Sequence, residues 1–145
     1  MLKVLLDANI FVSALIKPYS NPSMILNMVR EGRVRLLLSG TIIYEVRRVL
    51  SYARIRRIHR FTDEQIDEFV KDLSEFAIIT PGNIKVDVIK DDPADNKYIE
   101  CAIEGQADYI VSGDRHLTNL KHFQGINIVD PAMFIRLLKD ATGSC

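Results

Sequence analysis
Asp7, Glu45, Asp95 and Asp114 are the side chains of this sequence whose types could do chemistry together. Two carboxylates ~4 Å apart repel by roughly 4 kcal/mol at an effective dielectric of ~20, so four in one cleft are intolerable without cations. Hard, oxygen-seeking Mg²⁺ or Mn²⁺ is the natural occupant, which makes a metal-dependent hydrolase the first hypothesis. Taken singly, each acid also has an ordinary role. Asp7 can cap the helix that follows it, Glu45 can pair with Arg48, and Asp92 as N-cap with Asp95 in the first turn can complement a helix dipole. Asp114 can cap a helix at 116–120, with Gly113 taking an unusual backbone conformation in the turn before it. Only the conjunction points to catalysis.

The elements that must position these acids show as short apolar runs alternating with helical periodicities. Residues 2–6 form the kind of run a strand buried on both faces shows, and Asp7 ends it. Further strands are expected at 34–38, 76–80, 109–112 and 126–129. Helices are expected at 9–16, from an Asn21-Pro22 start to Gly32, and after a Ser39 cap. Another opens on the capping box Thr62-Asp63-Glu64-Gln65, another runs from Asp92-Pro93 to a stop at Gly105, and the last begins at Asp130-Pro131. In the Ser39 helix, Ile42, Ile43, Val46, Val49 and Leu50 line one face, and Glu45 lies off that stripe.

This alternation implies an α/β fold, a mainly parallel sheet of about five strands with helices on both faces. In such folds the crevice lies beyond the carboxyl ends of the strands. Asp7 and Asp114 each follow a strand directly, while Glu45 and Asp95 lie early in helices that start from the same side. The four can therefore meet.

The 145 residues, 48% of them hydrophobic, suit one domain spanning 1–145. With 19 basic and 19 acidic side chains the formal net charge is +0, so a polyanion site must come from local segregation. Such segregation occurs at 47–60, which holds Arg47, Arg48, Arg54, Arg56, Arg57, His59 and Arg60 with no acid among them. That is what a phosphate-tracking surface needs, although arginines paired with acids elsewhere give a bland alternative. Tyr44 and Tyr52 can stack on bases or pack in the core. His116 and His122 lack a closely spaced ligand partner and suit surface or capping roles, and His59 reads as part of the basic patch.

Cys101 and Cys145 show no C-x-x-C or Cys/His pairing, so a reduced, cytoplasmic setting is expected. The apolar opening is interrupted by Asp7 and broken at Pro18, which fits neither a signal peptide nor a membrane span.

In order, the segments LLDANIFVSAL, LLLSGTIIYEVRRVL, DDPADNKYIECAIEGQADYIVSGDRHL and IVDPAMFIRLL resemble the PIN-domain family, and within it the VapC-type toxins of toxin–antitoxin pairs. The resemblance runs nearly end to end. It implies a metal-dependent ribonuclease site of three aspartates and one glutamate, here Asp7, Glu45, Asp95 and Asp114, serving as both catalytic and metal-binding residues. Asn9 and Ser112 match polar family positions and are expected to support the site. Ala8 departs from the hydroxyl residue of many relatives. The resemblance further implies RNA as substrate, 5′-phosphate and 3′-hydroxyl products, an antitoxin partner and a homodimer.

Rivals from other classes are a phosphatase and a non-catalytic RNA- or protein-binding module of the same fold. A phosphatase should show a second acid two residues after Asp7, where this chain has Asn9, and no P-loop or dinucleotide glycine fingerprint is present.

Overall fold
The computed structural model describes residues 1–142, and Cys145 lies outside them. Strands β1 (Lys3–Leu6), β2 (Arg35–Ser39), β3 (Ala77–Thr80), β4 (Tyr109–Val111), β5 (His122–Phe123) and β6 (Ile126–Val129) make one sheet in the order β3-β2-β1-β4-β6-β5. All neighbours pair in parallel except β5, which joins the β6 edge antiparallel. The sheet is thus mainly parallel, with six strands rather than about five. The extra strand is two residues long, too short for any alternation to register.

Helices α1 (Ala8–Ile16), α2 (Asn21–Arg30), α3 (Gly40–Leu50), α4 (Ala53–His59), α5 (Asp63–Phe76), α6 (Asn96–Gly105), α7 (Arg115–Thr118) and α8 (Pro131–Thr142) surround it. Val4, Leu5 and Leu6 of β1, Leu36, Leu37 and Leu38 of β2, and Ile110 and Val111 of β4 are fully buried. Unbroken apolar runs are what a strand covered on both faces requires, and each such side chain contributes roughly 1.5–3 kcal/mol of burial.

Local chemistry sets the helix starts. Ser39 caps α3 by accepting the Ile42 N–H at 3.4 Å. The capping box is closed in both directions, Thr62 Oγ1 accepting from Gln65 N–H and Gln65 Oε1 accepting from Thr62 N–H. For α2 the cap is Ser20, which accepts the Ser23 N–H at 3.3 Å; Asn21 is already the first helical residue. The start near Asp92 differs too. Pro93–Asp95 forms a single 3-10 turn before α6, and neither Asp92 nor Asp95 caps a helix with its side chain. Those two carboxylates are therefore available for other work.

Between β3 and that 3-10 turn the chain runs without regular structure, and α6 ties it down. Glu104 accepts the N–H groups of Gly82 and Asn83, each at 2.8 Å, and Glu100 accepts that of Val86 at 2.9 Å. Asn96 accepts those of Val88 and Ile89 at 2.9 and 2.8 Å. The three side chains sit four residues apart on one helix face, and together they satisfy donors that no strand partner serves. Gly105 ends α6 without taking the left-handed conformation, which falls on Gln106 at φ 58°. What Gly105 does is permit contact: a Cβ there would lie 2.8 Å from Leu37 Cδ1, so its absence lets α6 press against β2.

Candidate metal centre
Where β1 and β4 end, their neighbouring chains carry Asp7 and Ser112. Leu6 pairs with Val111, and the Asp7 N–H continues the ladder by donating to the Val111 carbonyl at 3.2 Å. Ser112 is fully buried; its hydroxyl donates to Asp7 Oδ2 and accepts the Asp114 N–H at 2.9 Å. That bond shapes the turn leading to Asp114, and Gly113 needs no positive φ, contrary to the sequence expectation. Asp7 is only 4% exposed. Burial pushes its carboxyl up to about 6, against the opposing pull of Ser112 and the N–H groups of Ile10 and Asn9.

Asp95 and Asp114 are brought together, and two further residues join them. Asp92, Asp95, Asp114 and His116 each offer one ligand atom, and these atoms all lie within 4.8 Å of one another. Asp95 Oδ2 is buried without a hydrogen-bond partner. Burial first, then the adjacent Asp114 and Asp92, push the Asp95 carboxyl up to about 7. An orphaned oxygen among crowded acids fits a hard cation, which would supply the missing partner and relieve the repulsion.

Glu45 sits apart from that quartet. Its carboxylate pairs with Lys97, lies 3.6 Å from Arg48, and accepts the Tyr98 hydroxyl proton at 3.3 Å. The same Tyr98 oxygen accepts the buried Ala8 N–H at 3.1 Å. Burial raises the Tyr98 phenol, reinforced by the charges of Asp7, Glu45 and Asp95 around it. The four sequence-selected acids therefore surround one tyrosine and one serine, with Glu45 neutralised by Lys97.

The PIN domain family matches residues 3–116. This chain belongs to that family. The uncharacterized protein MJ1680 of Methanocaldococcus jannaschii is 30% identical over 120 residues, covering 83% of this chain and 76% of the relative. Among solved structures, the crystal structure of VapBC2 from Rickettsia felis bound to a DNA fragment from their promoter superposes with a TM-score of 0.57 at 13% identity. It covers 89% of this chain and 98% of that one. At that identity the likeness is one of fold.

Elsewhere in this PIN domain the expected residues fall as follows. Asn9 gives its backbone N–H to Asp7, while its side chain is exposed. Arg47 pairs with Asp67 at 3.2 Å and Arg56 with Asp63, so part of the basic segment is engaged. Arg54, Arg57 and Arg60 are exposed and form no ion pair among the described residues. Their carrier, α4, buries nothing, which is why no apolar stripe announced it. His59 does not belong with the arginines. Its ring joins the Leu50 carbonyl at 2.9 Å and accepts the Phe61 N–H at 2.8 Å, bracing the turn after α4.

His116 is exposed, in keeping with the surface role expected from sequence, and its ring also reaches the acids, with Nδ1 3.7 Å from Asp114. Asp92, Tyr98, Lys97 and Asn96 escaped the sequence reading as site residues. Their signal was spacing: all lie within one turn of Asp95.

Proposed function
We propose that this PIN domain is a Mg²⁺- or Mn²⁺-dependent endoribonuclease and the toxin of a toxin–antitoxin pair in the cytoplasm. The observation that carries the reading is the orphaned Asp95 oxygen, buried among Asp92 and Asp114 at the carboxyl rim of a parallel sheet. Asp7, Asp95, Asp114 and Glu45 would hold the metal. A bound divalent ion supplies a water of lowered pKa and neutralises charge on the phosphodiester oxygens.

The chain's own groups do the rest. Ser112 fixes the Asp7 carboxylate, Tyr98 ties Glu45 to α1, and Lys97 pairs with Glu45. Arg54, Arg57 and Arg60, exposed and without an ion pair among the described residues, offer positive charge suited to an RNA backbone. Hydrolysis adds water across one P–O3′ bond, leaving a 5′-phosphate and a 3′-hydroxyl. No helix of the described residues is long and apolar enough to cross a membrane. The Rickettsia felis neighbour, named as a VapBC assembly on promoter DNA, supports a protein antitoxin as partner. A homodimer belongs to the same reading.

The Lys97–Glu45 pair favours a second reading, a non-catalytic RNA- or protein-binding module in which Asp7 and Asp114 serve only as helix caps. Incubating a defined RNA panel with Mg²⁺, Mn²⁺ or chelator, and comparing wild type with Asp7→Asn, separates the two. The nuclease reading expects divalent-dependent cuts with 5′-phosphate ends that Asp7→Asn abolishes. RNA bound but never cut, or cut equally by Asp7→Asn, overturns it.

A further inference from the structure
Beside the acidic rim, on the β2 side, α3 and the turn before α6 enclose a cleft of about 420 Å³. Thr41, Tyr44, Glu45 and Arg48 line it from α3, with Ala94 and Lys97 across the gap. We propose that this cleft seats one nucleotide of single-stranded RNA, its base stacked on Tyr44 and its phosphate held by Arg48, next to the phosphodiester presented to the carboxylates. The inference rests on the nuclease reading for the presence of RNA, and it goes further by assigning the strand's position.

Four features support it. Tyr44 is 68% exposed, and no other ring of the described residues stacks on it, so its face is open to a planar partner. Every base offers a face, which makes such a stack tolerant of sequence. Arg48 lies one helical turn beyond Tyr44, on the same side of α3. Its bridge to Glu45 is 3.6 Å long with the arginine side chain 54% exposed, a weak contact that a phosphate accepting a two-pronged guanidinium bond can replace.

Lys97 behaves differently. It is held by Glu45, by the Ala94 carbonyl at 2.9 Å and over the Tyr98 ring at 5.1 Å, so it cancels the charge by which Glu45 would repel a phosphate. Finally, Glu45 lines the cleft and is one of the acids proposed to hold the metal, so on that reading the seat adjoins the reacting bond. The volume lies near the lower end of the ~300–1,000 Å³ typical of small-ligand pockets, enough for one nucleotide and too small for a duplex.

The rim also has a larger cleft of about 720 Å³ on the β6 side, lined by Lys17, Tyr19 and Gly113. Tyr19 is 97% exposed but has no arginine among its neighbours in that lining, which makes it the internal control.

The test is equilibrium binding of a fluorescent single-stranded RNA oligonucleotide to the full chain in chelator, with Mn²⁺-dependent cleavage measured in parallel. Tyr44→Ala should weaken binding about tenfold, while Tyr44→Phe and Tyr19→Ala stay close to wild type. A 4-thiouridine in the strand should cross-link to the peptide containing Tyr44. Circular dichroism verifies that the exposed substitution leaves the fold intact.

Unchanged affinity in Tyr44→Ala overturns the seat, as does a loss carried by Tyr19→Ala instead or an equal dependence on Tyr44 for duplex RNA. If the wild type binds RNA through Tyr44 but cuts nothing, the seat stands and the nuclease reading falls. Cleavage that ignores Tyr44 in both affinity and rate has the reverse meaning.

Discussion

The Tyr98 hydroxyl donates to Glu45 Oε2 at 3.3 Å while its oxygen accepts the Ala8 N–H at 3.1 Å, so one phenol links α6 to both α3 and α1. Tyr98→Phe keeps the ring and removes both bonds. The Ala8 N–H is then buried without a partner, at a cost of about 1–3 kcal/mol. Urea unfolding should show that loss, and the Mn²⁺ concentration needed for half-maximal activity should rise as Glu45 loses its anchor. A variant equal to wild type in both measurements removes Tyr98 from the site.

Asn96 governs a different contact. Asn96→Ala strands the N–H groups of Val88 and Ile89 and releases the segment leading into Asp92 and Asp95. A stability loss of roughly 2–4 kcal/mol is expected for two unsatisfied donors, together with weaker Mn²⁺ binding by calorimetry. Glu104→Gln, which acts at the far end of the same strap, should leave Mn²⁺ affinity unchanged. Equal losses of Mn²⁺ affinity in the two variants contradict the assignment.

The metal-free protein should lose stability as pH rises from about 4 to about 7. Asp7 and Asp95 have folded values pushed up to about 6 and about 7 from 3.8, so the native state binds more protons than the unfolded chain across that window. The unfolding free energy then falls with pH, and for buried Asp7 the full shift is worth about 3 kcal/mol. Asp7→Asn, a good cap in its own right, should therefore raise the melting temperature above pH 7 in chelator. Saturating Mn²⁺ should flatten the wild-type profile, because the ion binds the ionised form. A melting temperature rising with pH in chelator refutes the burial argument.

RNA affinity offers a further check. Replacing Arg54, Arg57 and Arg60 together by Gln should lower the magnitude of the slope of log affinity against log salt by about 2, at ~0.7 per phosphate contact on a single strand. His59→Ala should leave that slope alone and lower stability instead, since its ring bonds the chain to itself. Filter binding from low to high salt reads the first effect, and thermal unfolding reads the second.

The sheet could be read from sequence because its central strands are buried on both faces, and Leu36, Leu37 and Leu38 need no alternation to be recognised. Asp7 and Asp114 were legible because each ends such a run. The rest depends on partners distant in sequence. Whether Asp92 caps a helix or faces Asp95 turns on a 3-10 turn that Asn96 stabilises by donating to the Pro93 carbonyl at 3.0 Å. Glu45 lies early in α3 as expected, yet nothing along the chain reveals that Lys97 meets it. His59 looked like one cation among many because its acceptor, the Leu50 carbonyl, is a backbone group nine residues away.

Ser112 reaches Asp7 across 105 positions of sequence, and β4 lies between β1 and β6 in the sheet. A ribosome making this polypeptide therefore releases most of it before the Asp7–Ser112 contact that shapes the rim can form. Whatever the rim finally holds, the half-made chain is inert toward it.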